Sequence, residues 1–166
     1  MRKFALIAAI ALTAAVSLSA CNKAPDESQA PAQVQQSPKP TDVNDAKGWN
    51  AYLGDLVQKN LKGMTASQPF AYLVDAGDTD AAKANNERQL SNVQDSVARG
   101  VLPGNLMAFA GANSAKTADL LIAAFKDAKP GSFKDVIILF IGDKADEQRV
   151  ADDLKPTGAT FHFVEM

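Results

Sequence analysis

From residue 43 onward the chain shows two kinds of apolar pattern. In "NDAKGWNAYLGDLVQKNLKG", Trp49, Leu53, Leu56, Val57 and Leu61 recur at helical spacing, which predicts a helix capped at Asn44 and stopped at Gly63. Four short apolar runs follow: "FAYLVDA" (70–76), "NLMAFAG" (105–111), "DVIILFIG" (135–142) and "ATFHFVEM" (159–166). The stretches between them have helical periodicity. Leu90, Val93 and Val97 line the first, which ends at Gly100; Ala118, Leu121, Ile122 and Phe125 line the second, which ends near Pro130-Gly131. Val150 and Leu154 line the third, stopped by Pro156 and Gly158.

The repeating units "LVDAGDTDAA", "AFAGANSAKTA" and "LFIGDKADEQ" each run from a strand through a glycine and a small polar residue into a helix. Gly77, Gly111 and Gly142 recur at roughly 30 residues, the length of one βαβ unit. A run such as "VIILFI" has no polar alternation, which predicts a strand buried on both faces, as in a parallel sheet covered by helices. "TFHFVE" does alternate and suits an edge. The expectation is a small three-layer α/β domain over residues 43–166. It has a four-stranded, mainly parallel sheet, preceded by one extra helix and a disordered tether. Right-handed crossovers and the apolarity of the first and third strands favour strand order 2-1-3-4. Such a chain segment, about 120 residues long, suffices for one independent core.

The start of the chain adds a location. "MRKFALIAAIALTAAVSLSAC" has a basic opening in Arg2 and Lys3, an apolar run from Phe4 to Leu18, and small residues at its close. That is signal-peptide anatomy, too short and wrongly flanked for a spanning helix. Leu18-Ser19-Ala20-Cys21 resembles the lipobox of bacterial lipoprotein precursors, a match confined to residues 1–21. The resemblance implies cleavage after Ala20, removal of residues 1–20, a diacylglyceryl group on Cys21, and acylation (palmitate among the chains) of the new amino terminus. Cys21 is the only cysteine, at the one position where the motif needs it. Several acyl chains satisfy the two-signal requirement for stable anchoring in a bilayer. Asn22, where an Asp favours inner-membrane retention in enteric Gram-negative lipoproteins, implies the outer membrane facing the periplasm.

Lipidation changes the chemistry open to the rest of the chain. Losing Arg2 and Lys3 deepens the net charge from −2 to −4. A mildly acidic domain suits nucleic acid poorly, because that affinity comes from basic side chains on phosphates. No thiol remains for a disulfide, a zinc site or redox work. Residues 21–42, the lipidated cysteine followed by "NKAPDESQAPAQVQQSPKPTD", are rich in Pro, Gln, Ser and Ala. They bury too little apolar surface to offset ordering entropy, and so form a leash with a coil reach of roughly 25 Å.

In a sheet of this kind ligands bind beyond the carboxyl ends of the strands, near a switch in strand order. The candidates there are Asp75, Asp78, Asp80, Asn113, Ser114, Asp143 and Asp146. A divalent cation would want several such carboxylates. Helix capping uses the same residues, and "DAGDTD" lacks the calcium-loop spacing, so no metal or other cofactor is expected. His162, the only histidine, alternates with Phe161 and Phe163 and has no nucleophile motif beside it, so no catalytic residue is expected. "LMAFAGANSAKT" approaches a phosphate loop, but Ala110 and Ala115 stand where its two glycines belong. The segment "DAAKANNERQ" (80–89) has no apolar residue larger than alanine, which makes Asn85, Asn86, Glu87 and Arg88 contact candidates beside the first strand's loop. Together these features predict a membrane-anchored, non-enzymatic binding or accessory module whose partner is another envelope protein, including an effector that an immunity-type lipoprotein would block. A small-molecule or anion binder at the strand ends is the alternative, and a metal-dependent hydrolase the third reading.

Overall fold

The computed structural model describes residues 36–166; the signal segment, Cys21 and the tether up to residue 35 lie outside the described residues. Helix α1, Ala46–Lys59, comes first. Its cap is Asp45, one residue beyond the expected Asn44, whose carboxylate accepts from Gly48 N at 2.9 Å. Asn60, not Gly63, ends it, by donating its side-chain amide to the Leu56 carbonyl at 2.7 Å. Strands β1 (Phe70–Val74), β2 (Leu106–Gly111), β3 (Ile137–Gly142) and β4 (Thr160–Glu165) alternate with helices α2 (Asp80–Arg99), α3 (Ser114–Phe125) and α4 (Lys144–Leu154). A short 3-10 turn, Lys155–Thr157, and Gly158 at φ 77° turn the chain into β4.

The fold is α/β with an all-parallel four-stranded sheet, but the order is β1-β2-β3-β4, not 2-1-3-4. Three crossovers of one hand that step the same way leave their helices on one face. Accordingly α2, α3 and α4 share a core with Met107, Phe109, Ile138 and Phe140, while α1 alone covers Leu106, Ala108, Ala110, Ile137, Leu139 and Ile141 on the other. The layers are therefore three helices, the sheet, and one helix. The small Ala108 and Ala110 let the large Trp49 and Tyr52 of α1 approach β2 closely.

Burial follows from this order. β2 and β3 are central and buried throughout, while β1 is an edge strand with Phe70 47% exposed. β4 is the other edge, as its alternation predicts. Two glycines allow close approach at the strand ends, Gly111 to the end of β1 and Gly142 to the start of α3. A Cβ on Gly111 would lie 2.7 Å from the Val74 carbonyl, and one on Gly142 would lie 2.6 Å from Ser114 Oγ. Residues 36–42, assigned to the tether by composition, lie along α1: Ser37 N donates to Asp55 at 2.7 Å and Lys59 Nζ donates to Gln36 at 2.9 Å. The backbone contact from Ser37 holds the Asp55 carboxyl below its ordinary range.

Candidate functional site

The carboxyl ends of β1 and β2, the start of α1 and the start of α2 enclose a crevice of about 470 Å³. Its apolar wall includes Trp49, Leu53, Leu73 and Ala112; its polar groups come from Asn44, Asn50, Asp75, Thr79 and Asn85. Because the strands run 1-2-3-4, no switch in strand order creates this opening. It exists because α1 covers β2 and β3 and stops short of the end of β1.

Two of the sequence candidates meet here. Asn85 Nδ2 donates to the Asp75 carboxylate at 2.9 Å, and Arg88 donates to Asn85 Oδ1. Asn86 grips the Asp75 backbone: its Oδ1 accepts from Asp75 N and its Nδ2 donates to Asp75 O, each at 2.9 Å. One turn on, Gln89 Nε2 donates to the Leu73 carbonyl at 2.6 Å. Leu73 and Asp75 are two residues apart and so present these groups on one side of β1. The polar first half of α2 thus bonds the outward backbone where β1 ends and its loop begins. Asn86 and Gln89 satisfy those groups, and only Asn85 beside Asp75 faces the crevice. Glu87 and Arg88 lie on the exposed side of α2, in a shallow depression with Ser91 and Asn92.

The remaining candidates hold the fold together. Lys116 Nζ donates to the carbonyls of Ala76 (2.7 Å) and Gly77 (3.1 Å) and to Asp78 (2.6 Å). The lysine of "SAKT" therefore straps the loop after β1 instead of meeting a phosphate. Asn113 caps α3 by accepting from Lys116 N at 3.0 Å. Ser114, buried, accepts from Asp143 N at 2.7 Å and donates to Asp146, whose other oxygen accepts from Arg149 at 2.8 Å. Arg149 continues to Asp119 (2.6 Å) and the Ala115 carbonyl (3.0 Å), and these acids raise its already high pKa. Asp143 begins α4 without a side-chain cap bond. His162 lies on the α1 face opposite Leu139, in a separate cleft of about 460 Å³ with Thr65, Asp135 and Thr160 at the other end of the sheet. Among the described residues, no three His, Cys, Asp or Glu side chains are grouped as a metal ion needs.

Two expected results follow. Ser114→Ala leaves the Asp143 N–H without its acceptor and removes a donor from Asp146, at a cost of about 1–3 kcal/mol read from urea unfolding. Asp78 has its carboxyl pKa lowered by the Lys116 hydrogen bond and charge. A lowered folded-state pKa adds stability above the ordinary value of 3.8, lost as pH falls through the depressed value. Asp78→Asn therefore lowers the thermal midpoint slightly at neutral pH, and the difference from the parent closes in acid.

Sequence reasoning missed the contribution of α1 and the residues just before it, which supply Trp49 and Asn50, and Asn44, to the crevice. The available signal was the pair of asparagines around Trp49, which the packing stripe does not need. The molecule is thus defined as a singly wound α/β domain with a crevice at its first strand. Comparison with protein-family models, curated proteins and solved structures returned no match.

Proposed function

We propose that this chain is a lipid-anchored, periplasm-facing lipoprotein of the bacterial envelope that acts as a non-enzymatic binding or accessory module, docking another envelope protein. The observation that carries this reading is how the polar residues at the strand ends are used. Lys116, Asn113, Ser114, Asp146 and Arg149 bond to neighbouring elements, so their chemistry is committed to the fold. What is offered outward is a crevice with one carboxylate, amide groups and an apolar wall, a recognition surface. The lipobox and the Pro-rich leash support placement at a membrane, within reach of partners.

The crevice also favours a second reading, a small polar ligand that is neutral or cationic. Asp75 opposes an anion there, and the nearest strapped cation, Lys116, is occupied. Trp49 is the only tryptophan and lines the crevice, so occupancy is expected to shift or quench its emission. Full-length chain captured from membranes in mild detergent tests both. Specific co-purification of an envelope protein that perturbs Trp49 supports docking at the crevice. Stabilisation by sugars or amines, worth about 2.7 kcal/mol at a hundred times the dissociation constant, supports the ligand. Silence in both assays refutes the site.

A further inference from the structure

The two edges of the sheet are treated differently. On the β1 side, Gln89 bonds the outward Leu73 carbonyl, and just past the strand Asn86 bonds both backbone groups of Asp75. On β4, Thr160 N donates to Val136 O at 2.8 Å and Met166 N to Gly142 O at 3.2 Å, so the even-numbered residues point toward β3. Phe161, Phe163 and Glu165 therefore present their N–H and C=O groups outward. Among the described residues no side chain bonds them. β4 contains no proline, no lysine and no glycine, and its one acidic residue, Glu165, stands at its last position.

We propose that β4 pairs antiparallel with β4 of a second copy of this chain, about a two-fold axis at Phe163, to form a continuous eight-stranded sheet. This inference is independent of the reading of the crevice. Outward-pointing residues then face each other, Phe163 to Phe163 and Phe161 to Glu165, giving about six main-chain hydrogen bonds. Charge complementarity favours a second copy and this register. Lys144 Nζ lies 5.3 Å from the Phe163 ring centre and pairs with Glu147, on the exposed side of α4. Placing Phe163 on the axis brings two such pairs together head to tail, with each Lys144 beside the partner copy's Glu147. Because α4 packs on β3 and β4, its symmetry mate lies at about 10 Å, an ordinary helix–helix spacing. A register centred on His162 would separate the charges.

Sedimentation equilibrium of the full chain in nonionic detergent tests this. The parent is expected to dimerise, Lys144→Glu or Glu147→Lys alone to weaken dimerisation roughly tenfold, and the double exchange to restore it. The double exchange also restores the pair within one chain. The deciding arm is therefore a mixture of the two single variants, in which only the contacts between copies are restored. It should dimerise like the parent, and failure to do so overturns the proposal. The pairing also sets His162 opposite Val164 of the other copy, in a non-hydrogen-bonded position. His162→Cys and Val164→Cys chains, co-expressed, should form a disulfide-linked dimer beyond the background of the parent, which retains Cys21. A chain that stays monomeric to about 0.1 mM overturns the proposal. So do single reversals without effect, or cross-linking by His162→Cys alone.

Discussion

Phe109→Ala is expected to cost about 3–5 kcal/mol, a large share of the roughly 5–15 kcal/mol available to a domain of this size. Phe109 is fully buried at the centre of β2. Its ring stacks on Tyr72 at 5.0 Å and meets Phe125 edge-on at 6.2 Å; Phe125 in turn meets Phe133 at 5.0 Å. The row ties β1 to α3 and to the turn before β3. Deleting this inner member loses transfer free energy, leaves a cavity that a close-packed layer fills poorly, and breaks two aromatic contacts. The measurement is a urea midpoint at unchanged slope. Phe163→Ala is the comparison, because Phe163 is half-buried on an edge and has one aromatic neighbour, Phe140, at 6.0 Å. It is expected to cost less than half as much; equal costs would contradict a core centred on β2.

Cys21→Ala is expected to have the largest effect on location. If the lipobox acts as proposed, the substituted chain carries no acyl group, and the protein moves from the membrane pellet to the soluble fraction. Intact mass of the parent should show cleavage before Cys21 and added acyl chains; an unmodified Cys21 would end this reading. The described domain, which begins at residue 36, should unfold with the same urea midpoint in both forms. Retention of the variant in the membrane would place the attachment elsewhere in the chain.

The four strands and four helices were readable because each strand is a compact apolar run and each helix has an apolar stripe, although α1 and α3 end at Lys59 and Phe125, ahead of the stops read at Gly63 and Pro130-Gly131. Gly100 ends α2 as read, and of Asn113 and Ser114, either of which suits the start of α3 by sequence, Asn113 is the cap. Strand order was not readable from the rules applied, since right-handed crossovers permit both 2-1-3-4 and 1-2-3-4. The decisive clue was composition: "LMAFAG" has no polar residue, which marks β2 as central, whereas "FAYLVDA" leads into an acid and begins with a half-exposed Phe70. The site was legible in part. Asp75 and Asn85 reach the crevice, but Asn86 turned out to satisfy the backbone just past an edge strand, a role that only a wrong strand order conceals. The Ser114–Asp146–Arg149 chain spans two helices, and residues that far apart in sequence signal nothing until the fold joins them.

The one-helix side of the sheet has a mechanical consequence. Any pull on the chain upstream of residue 36 enters the domain through Ser37 at Asp55 and then along α1, before it reaches a strand. The four parallel strands are all downstream of that point, so tension does not shear their ladder first. The first element to yield is the lone helix over Ala108 and Ala110, and its release would bare one sheet face while the three-helix side stayed assembled.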